Sequence, residues 1–154
     1  MKISPFLAAV AVWSLALLTA WPDKPMQNVN LVRIGRGFAT TTKLRVGDIL
    51  RIRVKEKGDG LQDAIVISSF TPAQIRLTRG SDAGAELKRW SKAEVEVGQV
   101  LVYTVEEPAH IGLELQGSTN SRLEVVRKED HFEMTFSSIT EKWVLEVKFT
   151  EPEF

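Results

Sequence analysis

From about residue 28 onward, apolar side chains recur at every second position, and this period restricts the chain to strands that turn one face to a core. In ILRIRVK (49–55), Leu50, Ile52 and Val54 alternate with Arg51, Arg53 and Lys55. HIGLELQ (110–116) aligns Ile111, Leu113 and Leu115, and HFEMTF (131–136) aligns Phe132, Met134 and Phe136. KWVLEVKF (142–149) does the same for Trp143, Leu145, Val147 and Phe149. QIRLTR (74–79) and AEVEV (93–97) repeat the alternation in shorter form, and only AGAELKRWSK (83–92) reads as helix. KGDG, RGSDAG, EEP, QGSTN and KED separate these runs with residues that turn a chain cheaply. Strands this close together, without intervening helices, predict an antiparallel β-sandwich, immunoglobulin-like or similar, over 28–154. Leu50, Ile52, Leu113, Phe136, Trp143 and Leu145 are expected in one core.

VGDILRIRVKE (46–56) and VGQVLVYTVEE (97–107) align without gaps, matching Val46 with Val97, Gly47 with Gly98, Leu50 with Leu101 and Val54 with Val105. The echo reads either as a duplicated strand–turn–strand unit or as one hairpin solution met twice. Two units are too few for a solenoid.

The alternation is absent from the start of the chain. Residues 3–22 carry no charge, and 20 residues at about 1.5 Å each would span roughly 30 Å, the thickness of a hydrocarbon core. A transmembrane anchor is expected over 1–22, followed by a linker at 23–27. Trp21 suits the headgroup level, while Pro22 and Pro25 stop a helix. A cleaved secretory signal has a similar outline, but cutting after Ala20 would put Leu18 where a small residue is wanted. Lys2 precedes the run, so the N-terminus is expected in the cytoplasm and the domain outside the inner membrane, in the periplasm. The alternative is a periplasmic or secreted protein. Ala9, Ala16 and Ala20 lie near one helical face, and with Trp13 they are the expected helix-packing residues.

Composition bears mainly on chemistry. Twenty basic residues balance 20 acidic ones, without the basic surplus that phosphate contacts require, so no nucleic-acid partner is expected. No cysteine is present, which excludes disulfides, thiolate nucleophiles and cysteine zinc sites. His110 could meet Ser68 or Ser69 and Asp63 only without a nucleophile-elbow motif. His131 sits in an acidic turn with Glu129, Asp130 and Glu133, which reads as a solvated turn. Neither GRG (35–37) nor GDG (58–60) has phosphate-loop spacing. No enzyme, metal or cofactor is expected. Arg51, Arg53 and Lys55 form a basic stripe that either pairs across strands or docks a partner, and Trp90, alone in a polar stretch, either anchors an interface or covers an edge.

An exported sandwich of roughly 110 residues with VGD before a basic strand resembles, in architecture, the chagasin family of cysteine-peptidase inhibitors. That family blocks its target with three loops. KGDGLQDA and SDAGAEL stand in the places of the first two without their motifs, and the arginine–proline–tryptophan loop has no counterpart, so the resemblance carries no functional residue to this chain. The expectation is a non-catalytic accessory subunit of a membrane protein complex, such as a bacterial energy-converting assembly of the photosynthetic reaction-centre kind. The alternative is a soluble exported binder or inhibitor.

Overall fold

The computed structural model describes residues 26, 28–35, 37–60, 62–77, 84–117 and 122–152. The expected anchor, with Ala9, Trp13, Ala16 and Ala20, lies outside the described residues, as does the linker except Met26. Among the described residues no helix is long and apolar enough to cross a membrane.

The described chain is mainly β. Its strands are β1 (Leu31–Ile34), β2 (Gly37–Thr40), β3 (Ile49–Glu56), β4 (Ala64–Phe70), β5 (Ala85–Ser91), β6 (Val100–Thr104), β7 (His110–Gln116), β8 (Arg122–Arg127), β9 (Phe132–Ser137) and β10 (Lys142–Thr150). They form two antiparallel sheets, ordered β1-β2-β7-β4-β5 and β6-β3-β10-β9-β8. Ile65, Ile67, Ile111, Leu113 and Leu115 of the first sheet share one buried cluster with Leu50, Ile52, Val54, Met134, Phe136, Trp143, Leu145 and Val147 of the second. All six expected core residues are in it. The outer face of the first sheet is apolar too, because Ile34, Ala39 and Phe70 form a second small cluster against which Ile75 packs.

Two stretches exchange the roles expected of them. QIRLTR was expected as a strand, yet Pro72–Leu77 is a helix, α1. Its start carries a capping box: the Gln74 N–H donates to Thr71 Oγ1 at 3.2 Å and the Thr71 N–H to Gln74 Oε1 at 2.7 Å, with Pro72 in the first helical position. The T-P-x-Q start outweighs two apolar residues at alternate positions. Conversely, the helix-like 83–92 contains β5, whose good helix formers are overruled by backbone pairing with β4 from Ala64↔Ser91 to Ser69↔Ala85. A bulge inserts Leu87 between the partners of Ile67 and Ser68, so Glu86 and Arg89 come to the same face and pair at 2.7 Å. AEVEV is likewise no strand. Lys92–Glu94 is a single 3-10 turn, after which Val95 is buried and Val97 is exposed.

The internal echo marks a local pseudo-twofold relation. β3 and β6 pair antiparallel about Arg51↔Val102, each entered through a turn whose glycine has positive φ, 94° at Gly47 and 91° at Gly98. The two turns close alike. Gly47 N–H donates to Val105 O and Gly98 N–H to Val54 O, while Val105 N–H reaches Asp48 O and Val54 N–H reaches Gln99 O. Even the side-chain caps correspond: Arg45 N–H donates to Asp48 Oδ2 at 2.7 Å and Glu96 N–H to Gln99 Oε1 at 2.8 Å. Each copy is thus a turn and one strand, rather than a hairpin, and the two copies complete each other.

Candidate functional site

Three regions gather the chemistry of the described residues. The first is the outer face of the second sheet, where alternation turns Arg51, Arg53 and Lys55 away from the core. Antiparallel register sets Arg53 opposite Glu146 and Glu146 opposite Glu133, and this pairing answers the basic stripe within the sheet. Arg53 Nη1 lies 3.5 Å from Glu146 Oε1, and Lys55 Nζ lies 3.6 Å from Glu133 and 3.9 Å from Glu146. Arg51 Nη1 donates to Thr150 Oγ1 at 2.7 Å. His131 extends the network, with Nδ1 2.8 Å from Asp130 Oδ1 and Nε2 3.3 Å from Glu146 Oε2. The hydrogen bond with His131 holds the Asp130 carboxyl below the ordinary range, against its partial desolvation, with Lys148 at 3.5 Å assisting.

The second region lies at the end of the sandwich where β3 leaves the sheet and β10 begins. Here Asp63, 3% exposed, accepts a 2.9 Å hydrogen bond from the indole Nε1–H of wholly buried Trp143. Glu141 accepts the Gly60 N–H and shares a hydrogen bond with the Asp63 carboxyl. Burial first, and then that shared bond, push Glu141 above the ordinary carboxylate range, against the Gly60 and Asp59 amides, which favour its ionised form. Lys92 N–H donates to Asp63 O, Lys92 Nζ to Asp59 O and Lys57 Nζ to Val95 O, so Lys57, Asp59 and Asp63 are all tied to residues 92–95. Two neighbouring carboxyls with one raised pKa are the ingredients of acid–base catalysis. Asp63, however, is buried and given over to the Trp143 indole, Glu141 is half-buried, and their hydrogen bonds join Gly60, Asp63 and Trp143. Residues 56–59 and 138–142, Glu141 among them, line an open groove, with the fully exposed Ile139 at its rim.

Sequence reasoning missed this cluster, since Asp63 and Trp143 are 80 residues apart and only the packing of β10 against the start of β4 unites them. It does not assemble the weighed triad either. His110 Nδ1 is 3.1 Å from Thr40 O, Ser68 Oγ donates to Glu114 Oε1 at 3.2 Å, and Asp63 is committed to Trp143. Trp90 lies on edge strand β5 opposite Ile65, packed partly against the core, with Lys88 Nζ 5.6 Å from its ring centroid. It is therefore separate from the Arg51, Arg53 and Lys55 stripe, which belongs to the other sheet.

The third region is the free margin of the second sheet. β6 is its terminal strand, and VLVYT carries no charge. Val102 is 51% exposed, as are Val46 (58%) and Val97 (62%) in the two echoed turns.

Compared with known proteins, the chain matches no family model, and no curated protein or solved structure matches it.

Proposed function

We propose that the chain is a non-catalytic accessory subunit of a membrane complex, anchored by residues 3–22, with its β-sandwich in the periplasm. The observation that supports this most directly is where the chain enters the sandwich. Met26 N–H donates to Phe149 O at 2.9 Å, beside the β8–β9 turn, where Arg127 Nη1 reaches back to Val29 O. Only residues 23–25 separate that point from the uncharged run, and three extended residues reach at most about 10 Å. In this reading one end of the sandwich rests at the membrane surface. The end carrying Asp63, Glu141 and Ile139 then points away from it by the length of β10, nine residues or roughly 30 Å. A domain confined in this way meets neighbouring subunits at high effective concentration, so each contact can be weak alone. Contact within the bilayer through Ala16 and Ala20 would add to contacts made by the domain.

Membrane fractionation with terminal sequencing tests the proposal. The protein should resist extraction by alkali and high salt and begin at Met1 or formyl-Met1, and replacing Ala16 and Ala20 with Leu should loosen it from its complex. A mature chain that starts at Trp21 and fractionates with soluble proteins would overturn the reading in favour of a free exported binding protein.

A further inference from the structure

We propose that the open edge of β6 is a docking site for an extended segment of a partner protein, apolar at alternate positions and basic at both ends, which adds to the second sheet as an extra strand. The inference goes beyond the accessory-subunit reading, and it holds for an anchored or a free chain alike.

The first argument is backbone geometry. Val54 pairs with Gln99 and Val105 with Asp48 through hydrogen bonds, and such pairs alternate with non-bonded ones along an antiparallel ladder. Arg53↔Val100, Arg51↔Val102 and Ile49↔Thr104 are therefore the non-bonded pairs. The N–H and C=O groups of Val100, Val102 and Thr104 point away from β3, towards the edge. Three consecutive donor–acceptor pairs make a template for a further strand.

The second argument is the lack of the usual protection. Each of the other terminal strands carries charge: Arg33 on β1, Glu86, Lys88 and Arg89 on β5, and Arg122, Glu124 and Arg127 on β8. β5 is also bulged, and β1 has only four residues. Among the edges of the described residues, β6 alone has no charged side chain, bulge or proline, the devices by which sheets refuse strangers. Instead it presents Val102 at its centre, with Val97 and Val46 in the turns at its two ends.

The third argument selects the occupant. Exposed Glu96 precedes the strand and exposed Glu106 and Glu107 follow it. The latter two lie close enough to Tyr103 that, after burial, their charge helps to raise its phenol pKa. A second copy paired antiparallel about Val102 would bring Glu106 and Glu107 beside Glu96 of its partner, acid against acid at both ends. A segment with lysine or arginine flanks meets the opposite sign there. The edge is open to strands in general, and its ends choose among them by charge.

The test uses the full-length 15N-labelled chain in detergent micelles and a nine-residue peptide of alternating valine and threonine with two lysines at each end. Amide shifts and slowed hydrogen exchange are expected at Val100, Val102 and Thr104. Binding should be at least about tenfold tighter than for the same peptide with glutamate flanks, and salt should weaken it by screening. Glu106→Gln with Glu107→Gln should erase most of the preference between the peptides. Val102→Lys, on a solvent-facing position, should abolish binding of the lysine peptide. Equal affinity for both peptides, no binding of either, or shifts mapping elsewhere would overturn the proposal. Concentration-dependent protection of the 100–104 amides without peptide would overturn it in favour of self-pairing.

Discussion

Replacing Trp143 with Phe probes the pairing of Trp143 with Asp63 more directly than any other single change. Phenylalanine preserves an aromatic ring in a wholly buried site but removes the Nε1–H that Asp63 Oδ2 accepts at 2.9 Å. Leaving the buried Asp63 oxygen without its donor costs about 1.5–3 kcal/mol. The smaller ring leaves a void, and at about 24 cal/mol per Å³ this adds on the order of 1 kcal/mol. The total is roughly 2.5–4 kcal/mol, equivalent to a fall in Tm of about 10–16 °C for a domain of this size. Because the substitution removes a fluorophore, unfolding of residues 26–154 in urea should be followed by far-ultraviolet circular dichroism. The cycle through Asp63→Ala and the double variant isolates the pairwise part, expected at about 1.5–3 kcal/mol. If the two single effects add without coupling, the Trp143–Asp63 bond does not hold this end of the sandwich, and the account of this pairing fails.

Glu141→Gln should act in the opposite sense at neutral pH. Because burial and Asp63 raise its folded pKa, the favourable contribution of the protonated carboxyl is full below the unfolded pKa and fades as pH rises through the folded one. The variant's urea midpoint should therefore exceed wild type at pH 7, with the gap closing towards pH 4; a gap independent of pH would refute the assignment. Gly98→Ala should destabilise by about 1 kcal/mol through the positive φ alone, since its Cβ would meet nothing within 4 Å. Gly47→Ala should cost more, because Pro152 stands 3.0 Å from its Cβ, and thermal melts that rank the two in reverse would contradict the turn geometry.

What the sequence determined by itself was whatever repeats along a single strand. Alternation put Leu50, Ile52, Leu113, Phe136, Trp143 and Leu145 in the core, since a pleated strand shows every second side chain to one face whatever its partner. Where alternation was short, local chemistry decided otherwise. Thr71, Pro72 and Gln74 start a helix that two apolar residues at alternate positions had disguised, and this signal was present in the sequence. β5 had no such signal. Its residues prefer helix in isolation, and only the unpaired backbone of β4 drew them into a strand, a gain that exists nowhere but in the tertiary structure. The same division governs the chemistry. The basic character of β3 was legible, but not that Glu146 and Glu133 would answer it, because register between strands 93 residues apart is set by the packing of both sheets. The echo of 46–56 in 97–107 was legible as similarity. Only pairing about Arg51↔Val102 turned it into a symmetry, and that pairing is also what leaves β6 at the margin with its amides facing outward.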